Sequence, residues 1–364
     1  MEMIRLAMPA MAVDPEMKKK VLDVLSSGRY ILGDETSKLE SEFSIFAGTK
    51  AGAAVSSGTA ALHLALLALG LKPGDEVITT THSFIATANA IVHAGGKPVL
   101  VDIEPDTHNI DASKIEGAIT PRTKGIVPVH IYGHPADMDP ITEIAQKHGL
   151  FVLEDACQAH GAKYKGRPVG SLGDAAAFSF FPSKVMTVCG DGGIVATGRE
   201  DVAERVRMLR NQGRAEGKKY EHDAIGFNCR ISEVACAIGR LELKKVAGWI
   251  ERRREIASKY GKLLEGAVNC PAEKGYAKAV YYVYTVTADD RDGLKDSLKK
   301  KAIETGIYYP VPIHMQPAYR DFGYKRMPVA EDIAGRILSL PMHPFLKEGD
   351  IRRVTDAVSD FYGS

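Results

Sequence analysis

Short apolar runs alternate with amphipathic segments through the first two-thirds of the 364-residue chain. Four apolar runs that follow turn or polar residues predict buried strands over residues 77–80, 98–102, 125–129 and 150–153. Apolar positions at helical spacing predict helices over residues 83–94, 111–118 and 138–148. Strands that alternate with helices, and that are apolar on both faces, favour a mostly parallel sheet flanked by helices. The pattern therefore predicts an α/β fold.

Two later apolar segments, residues 175–181 and 192–197, are separated by a short, glycine-rich connection. Because a parallel crossover needs a dozen or more residues, this spacing predicts antiparallel pairing. A charged helix over residues 231–263, with a predicted break near Gly248, then leads from a large domain (residues 1–245) into a smaller C-terminal domain (residues 246–364). The smaller domain contains a predicted strand over residues 280–286 and predicted helices near residues 292–304, 330–338 and 348–361.

The chain carries 47 basic and 46 acidic residues, which give a formal net charge of +1. So balanced a charge provides no long-range field that would attract nucleic acid or an anionic membrane. We interpret the basic run Arg252–Arg254 as the solvated face of a helix.

Five cysteines are spread along the chain without a CxxC pair. An odd number of cysteines so far apart indicates free thiols in a reducing compartment and no metal site. The first residues lack the basic and apolar regions of a signal peptide, and no apolar run approaches the roughly 20 residues of a membrane helix. We therefore expect a cytoplasmic protein that binds neither membranes nor nucleic acid.

Residues 56–66, SSGTAALHLAL, form a predicted turn that opens into a helix, with Gly70 as its C-terminal cap. Small residues at the start of a helix leave free N–H groups that can bind an anion. An ordinary Ser/Thr helix cap is the commoner explanation of such a segment taken alone.

Two carboxylates, Glu154 and Asp155, follow a predicted buried strand, where open α/β sheets bind ligands. Each could cap the next helix, or could pair with a cationic ring nitrogen and keep it protonated. Lys184 also follows a predicted buried strand and precedes the turn GDGG. Lysine is usually a solvated surface residue, but this position suits an amine held inside a site.

These segments have an order along the chain that resembles a known family. Taken together, SSGTAALHLAL, GDEVITTTHSFIATANAI, PVLVDI, EDACQAHGA, SFFPSK, GDGG and GFNCRISE are similar to the DegT/DnrJ/EryC1/StrS-type aminotransferases that act on nucleotide-linked keto-sugars. The resemblance extends from Gly28 to Pro344, nearly the whole chain. It implies pyridoxal 5'-phosphate (PLP) as the cofactor and the fold-type I, aspartate aminotransferase-like architecture.

The resemblance also implies roles for individual residues. Lys184 matches the lysine that binds PLP covalently and then moves a proton, and Asp155 matches the partner of the pyridine nitrogen. The further implied cofactor contacts are Gln158 beside the ring hydroxyl, Phe84 stacked on the ring, and Gly58, Thr59 and Ser179 at the phosphate. An ordinary core phenylalanine remains an alternative for Phe84. Asn228 matches an asparagine that reaches the phosphate from the neighbouring subunit, which implies a homodimer with shared sites.

The C-terminal segments bear on the substrate. Residues 308–319, YYPVPIHMQPAY, and residues 339–346, SLPMHPFL, are more similar to enzymes that aminate C3 of the sugar than to those that act at C4. SLPMHP in particular resembles aminotransferases of UDP-2-acetamido-3-keto-uronic acid, with glutamate as the expected amino donor. The implied substrate contacts are Arg230 at the sugar carboxylate and Tyr309, His314 and His343 around the sugar.

Several alternatives remain open at this stage. Arg230 could form a structural salt bridge, and Tyr308 stands where both C3-acting groups have histidine. A 3-keto- or 4-keto-6-deoxy sugar nucleotide is the alternative substrate. A PLP-fold sugar dehydratase and a catalytically inactive regulator are the alternative functions. Because some sugar dehydratases of this type have histidine in place of the lysine, Lys184 favours the aminotransferase.

Overall fold

The computed structural model describes residues 2–11, 13–214 and 217–363. The described α-helices are α1 (Pro15–Ser27), α2 (Asp34–Phe46), α3 (Gly58–Ala68), α4 (Ala86–His93), α5 (Met138–His148), α6 (Glu200–Arg210), α7 (Glu233–Leu243), α8 (Val246–Leu263), α9 (Arg291–Lys300), α10 (Pro328–Arg336) and α11 (Glu348–Tyr362). The described strands are β1 (Ala51–Val55), β2 (Glu76–Thr80), β3 (Lys97–Val101), β4 (Thr123–Val127), β5 (Phe151–Asp155), β6 (Lys163–Tyr164), β7 (Arg167–Pro168), β8 (Ala175–Ser179), β9 (Gly193–Thr197), β10 (Ala277–Lys278), β11 (Tyr284–Thr287) and β12 (Ile337–Leu340). No helix among these residues is both long and apolar enough to cross a membrane.

Seven strands form the central sheet in the order β1-β9-β8-β5-β4-β2-β3. The pairs within β3-β2-β4-β5-β8 are parallel, while β9 is antiparallel to both β8 and β1. The predicted α/β fold with a mostly parallel mixed sheet is confirmed, as is the antiparallel pairing after residue 175. Because β2, β5 and β8 are parallel, the residues that follow them meet at one edge of the sheet.

A second hydrophobic core surrounds the two-stranded sheet of β11 and β12. It contains residues of α8, α9 and α11, and also Ile4, whose N–H donates to the carbonyl of Ala302 at 3.0 Å. The first residues of the chain therefore pack with its C-terminal third. The proposed domain boundary at residue 245 stays a prediction.

Several local predictions were wrong. Residues 111–118 form two short 3₁₀ turns, Ala112–Lys114 and Glu116–Ala118, in place of the α-helix, and Gly117 lowers the helix propensity of this segment. The charged helix breaks at residues 244–245, and Gly248 lies inside α8. Residues 337–340 are a strand, which ends the helix predicted over 330–338.

The strand predicted over residues 280–286 begins only at Tyr284. The residues before it bond to the segment that follows β4 instead: Val280 N–H donates to the Gly133 carbonyl at 3.0 Å, and Tyr282 N–H donates to the Tyr132 carbonyl at 2.9 Å. These bonds attach the C-terminal region beside the carboxyl end of the central sheet.

Arg253 is buried, with 1% of its surface exposed, and is not part of a solvated helix face. Its guanidinium donates to the carbonyls of Tyr281, Tyr282 and Met342 at 3.0–3.3 Å. Desolvation lowers its pKa to about 10. The prediction for this run was wrong because helical periodicity turns one of three consecutive arginines inward, where three carbonyls replace water.

Candidate active site

A cavity of about 580 Å³ opens at the carboxyl edge of the central sheet. Eight of the predicted site residues line it, namely Gly58, Thr59, Phe84, Asp155, Gln158, Ser179, Lys184 and Tyr309. They come from the ends of β5 and β8, the start of α3, the segment before α4 and the C-terminal region. Segments far apart in the sequence thus converge because the parallel strands end at the same edge.

The start of α3 forms one corner of the cavity. The Ser57 side chain caps the helix by accepting from the Ala60 N–H at 3.1 Å. A Cβ added to Gly58 would lie 2.7 Å from Cβ of Ser179, so this turn and Ser179 pack directly together. The N-terminal N–H groups of a helix beside a hydroxyl make a corner suited to a phosphate.

Asp155 is buried at the end of β5 and faces the cavity. Its Oδ2 accepts from Thr87 Oγ1 at 2.7 Å, and its Oδ1 accepts from the Cys157 N–H at 3.2 Å. Two hydrogen bonds hold the carboxylate in place and leave lone pairs that can accept from a ligand.

Glu154 belongs to the opposite side of the strand. Its carboxylate accepts from the N–H groups of Gly170, Leu172 and Gly173 at 2.8–2.9 Å and from Nε2 of His130 at 3.0 Å. The prediction that both carboxylates belong to the ligand edge was therefore wrong for Glu154. Successive strand residues point to opposite faces, and this one organises the turn before β8.

Gln158 presents N–H donors to the cavity. Its Oε1 accepts from the Tyr132 N–H at 2.8 Å, and its Nε2 donates to the Tyr309 hydroxyl at 3.3 Å. Since a backbone N–H can only donate, the amide oxygen faces Tyr132, and the amide nitrogen faces the cavity side. Such a donor suits an anionic phenolic oxygen on a ligand.

Lys184 and Phe84 complete the described wall. Nζ of Lys184 lies 4.4 Å from the centre of the Tyr282 ring, and the Tyr282 hydroxyl is 3.0 Å from Oγ of Ser183. Phe84 is 52% exposed, and its ring centre is 5.8 Å from that of Tyr309. Phe84 is thus a wall of the cavity, not a core residue.

Four predicted site residues are not among the described residues that line this cavity, namely Asn228, Arg230, His314 and His343. Asn228 pairs with Asn211, whose Oδ1 accepts from Nη1 of Arg230 at 3.0 Å. His314 is held between Oγ1 of Thr81 at 2.6 Å and the carboxylate of Glu331 at 3.2 Å.

The fourth residue, His343, is buried near Arg253, and desolvation lowers its pKa to about 4. The roles that the sequence implied for these four residues stay predictions.

The groups around the cavity fit PLP. The Gly58–Ser179 corner offers donors for a phosphate, Asp155 an acceptor for a pyridinium N–H, Gln158 a donor for the ring oxygen, and Lys184 an amine for the aldehyde. The donor set of this cavity therefore matches each polar group of the cofactor with a residue of the chain.

Sequence reasoning missed Thr87, Tyr132 and Tyr282. Thr87 holds Asp155, Tyr282 lies against Lys184, and Tyr132 binds Gln158. Thr87 lies inside a predicted helix, and Tyr132 lies in a turn. None of the three residues has a spacing that distinguishes it. Their position became evident only from the contacts.

Comparison with known proteins agrees with this geometry. The family model described as the DegT/DnrJ/EryC1/StrS aminotransferase family matches residues 12–359. A relative from Geobacillus stearothermophilus named a pleiotropic regulatory protein is 45% identical over 354 residues, which cover 96% of this chain and 95% of the relative. The dTDP-3-amino-3,4,6-trideoxy-α-D-glucose transaminase of Streptomyces venezuelae is 42% identical, with 95% of this chain and 92% of the relative covered.

Solved structures share the architecture as well. The crystal structure of S. venezuelae DesV in complex with a ketimine intermediate superposes with a TM-score of 0.94, at 40% identity, and covers 99% of this chain and 100% of the other. Other relatives, 39–42% identical, are named for different sugars, among them a UDP-N-acetyl-3-dehydro-α-D-glucosamine 3-aminotransferase, a UDP-2-acetamido-2-deoxy-3-oxo-D-glucuronate aminotransferase and a GDP-perosamine synthase. The matched family model and the relatives that cover nearly the whole chain establish that this protein belongs to the DegT/DnrJ/EryC1/StrS aminotransferase family.

Proposed function

We propose that the protein is a PLP-dependent sugar-nucleotide aminotransferase that takes its amino group from glutamate. The observation that carries this proposal is the convergence of Lys184, Asp155 and Gln158 on one cavity with a phosphate-binding corner. When bound, PLP supplies an electron sink that stabilises negative charge at the carbon bearing the amino group. The relatives named as sugar transaminases support the same reaction class.

Each residue then has a distinct task. Nζ of Lys184 takes the proton from the α-carbon of glutamate and, in the second half-reaction, delivers a proton to the sugar carbon that receives the amine. Asp155 holds the proton of the pyridine nitrogen, and Thr87 orients that carboxylate. Phe84 and Tyr309 place two aromatic rings side by side in the cavity wall, where they would pack against the bound cofactor and substrate.

We propose further that the acceptor is a UDP-linked 2-acetamido-3-keto-uronic acid, aminated at C3. Arg230 supports this substrate, because its guanidinium has no carboxylate partner among the described residues and bonds only to the neutral amide of Asn211. A guanidinium fork suits a sugar carboxylate.

A shared site in a homodimer accounts for the position of Asn228 and Arg230. Neither residue lines the cavity of its own chain among the described residues. We propose that both act in the site of the partner subunit. Mixing an inactive Lys184→Ala subunit with an inactive Asn228→Ala subunit should then restore part of the activity, and failure despite proven subunit exchange would exclude shared sites.

The cofactor assignment is tested by borohydride treatment of the PLP-loaded protein and peptide mapping. The added mass should appear on Lys184, and a label on another lysine would contradict the assignment. The yellow absorbance of the loaded protein should also bleach on addition of glutamate. An inactive regulator would keep the absorbance unchanged.

The substrate is tested with Arg230→Lys, which keeps the charge and loses the fork. Its kcat/KM on the uronic acid should fall roughly 10- to 150-fold, the cost of one charge-assisted hydrogen bond, while a neutral 3-keto-6-deoxy sugar nucleotide should be nearly unaffected. Arg240→Lys is the matched control, because Arg240 forms ion pairs with Glu35 and Glu42. Equal efficiency of the unaltered protein on both sugars, or activity confined to 4-keto sugars, would refute the uronate and leave the aminotransferase intact.

A further inference from the structure

We propose that Tyr132 is a positioning residue that fixes the sugar-facing segment at Tyr308; the proposal rests on the aminotransferase function. Tyr132 is buried behind the cavity and is not one of its lining residues. Each of its three polar groups nevertheless bonds to a different residue that does line the cavity. One buried residue therefore connects three parts of the wall, two through its backbone and one through its side chain.

The two backbone groups serve the cofactor side. The Tyr132 N–H donates to Oε1 of Gln158 at 2.8 Å, which orients that amide. The Tyr132 carbonyl accepts from the Tyr282 N–H at 2.9 Å, and the Tyr282 ring lies against Lys184. Tyr132 has a φ of 59°, in the left-handed region, where a residue with a side chain is uncommon. Tyr132 makes its backbone bonds to Gln158 and Tyr282 in this left-handed conformation.

The hydroxyl serves the substrate side. The Tyr132 hydroxyl is bonded to the backbone carbonyl of Tyr308. Nε2 of His82 lies 2.7 Å from the hydroxyl oxygen of Tyr132. The carbonyl can only accept, so the single hydroxyl proton of Tyr132 is donated to Tyr308. Nε2 of His82 must then donate to the tyrosine oxygen.

The surroundings of His82 agree with this direction. Burial, with a smaller contribution from His108, lowers the pKa of His82 to about 3, so the ring is neutral and carries one N–H. With that proton on Nε2, Nδ1 is a bare acceptor, and Nδ1 has no hydrogen-bond partner among the described residues. A single directed chain therefore runs from His82 through Tyr132 to the Tyr308 carbonyl.

The position of these two hydrogen bonds determines which half-reaction they affect. Tyr308 lines the cavity and follows residue 245, whereas Tyr132 and His82 lie at the carboxyl edge of the central sheet. The hydroxyl bond thus fastens the C-terminal segment to the sheet. Loss of this bond should lower the fraction of molecules in which the Tyr308 segment is in the conformation that binds the sugar nucleotide. The backbone bonds to Gln158 and Tyr282 remain.

Tyr132→Phe removes the hydroxyl and keeps the ring and both backbone bonds. Loss of a buried hydrogen bond of this kind is expected to raise the KM for the keto-sugar nucleotide roughly 5- to 30-fold. The rate of the glutamate half-reaction, followed by bleaching of the cofactor absorbance, should stay within about twofold of the unaltered protein. Tyr260→Phe is the matched control, because the buried Tyr260 hydroxyl donates to the Pro341 carbonyl at 3.0 Å, and neither residue lines the cavity.

Hydrogen exchange of the full-length protein provides a readout that is independent of activity. In Tyr132→Phe, amides of the peptide spanning residues 305–313 should exchange roughly 5- to 30-fold faster, and Tyr260→Phe should leave this peptide unchanged. Unchanged exchange in Tyr132→Phe, or equal loss in both half-reactions, would overturn the proposal. If the unaltered protein accepts no keto-sugar nucleotide, the proposed function fails, and the exchange of this peptide still decides the role of Tyr132.

Discussion

Two adjacent carboxylates offer a sharp test, because the structure assigns them opposite tasks. The Glu154 carboxylate is fully buried and accepts four hydrogen bonds, two on each oxygen. In Glu154→Gln, one of the two oxygens becomes an NH₂ group that faces two donors. Two charge-assisted bonds are lost, at about 1.5–3 kcal/mol each, which gives about 3–6 kcal/mol.

For a chain of this length, such a loss should lower the midpoint of thermal unfolding by about 4–8 °C. The remaining folded Glu154→Gln protein should keep its rate in the glutamate half-reaction, because the side chain does not line the cavity. The expected decrease in the unfolding midpoint follows from the number of hydrogen-bond donors that face Glu154, and not from the distance of Glu154 to the cavity.

Asp155→Asn should behave in the reverse way. An asparagine oxygen still accepts from the Cys157 N–H, and its NH₂ group can donate to Oγ1 of Thr87, so the midpoint should stay within about 2 °C. Removing a buried countercharge for the pyridinium should slow the glutamate half-reaction by about 150- to 5,000-fold. Differential scanning calorimetry and stopped-flow absorbance measure the two quantities separately.

The reasoning would be refuted by a Glu154→Gln protein that is inactive with an unchanged midpoint. An Asp155→Asn protein that is active and strongly destabilised would refute it equally. Either result would mean that the two carboxylates do not divide structure and chemistry as their contacts indicate.

Three further changes test single features. Gly58→Ala places a Cβ 2.7 Å from Cβ of Ser179, so equilibrium dialysis should show weaker PLP binding. Gly248→Ala meets no atom within 4 Å inside α8 and should raise the free energy of unfolding by about 0.5–1 kcal/mol in urea titrations. Burial lowers the pKa of His160 to about 3, so the unfolded chain gains this proton below pH 6.5 and the folded chain does not. Stability is therefore lost as the pH falls from 6.5 towards 3, and His160→Phe should reduce the loss between pH 7.5 and pH 5 by about 2 kcal/mol.

The sequence by itself determined the order of the central elements, and eight of the site residues predicted from it line one cavity. The apolar run at residues 77–80 lies within β2, the run at residues 150–153 overlaps the start of β5, and α5 spans the predicted residues 138–148. These segments succeed because burial on both faces requires continuous apolar strands, a local property that the sequence displays directly. The edge strand β1, AGAAV, went unpredicted because alanine and glycine carry no strand preference.

The tertiary structure alone decided which side of each element faces the ligand. Glu154 and Asp155 are neighbours in the sequence and lie in different environments, and Arg253 is buried between two partly exposed arginines. Tyr132 binds three wall residues that are between 26 and 176 positions away in the chain. Contacts of this kind depend on where β5 and the C-terminal segment meet in space, and no local pattern of hydrophobic and polar residues contains that information.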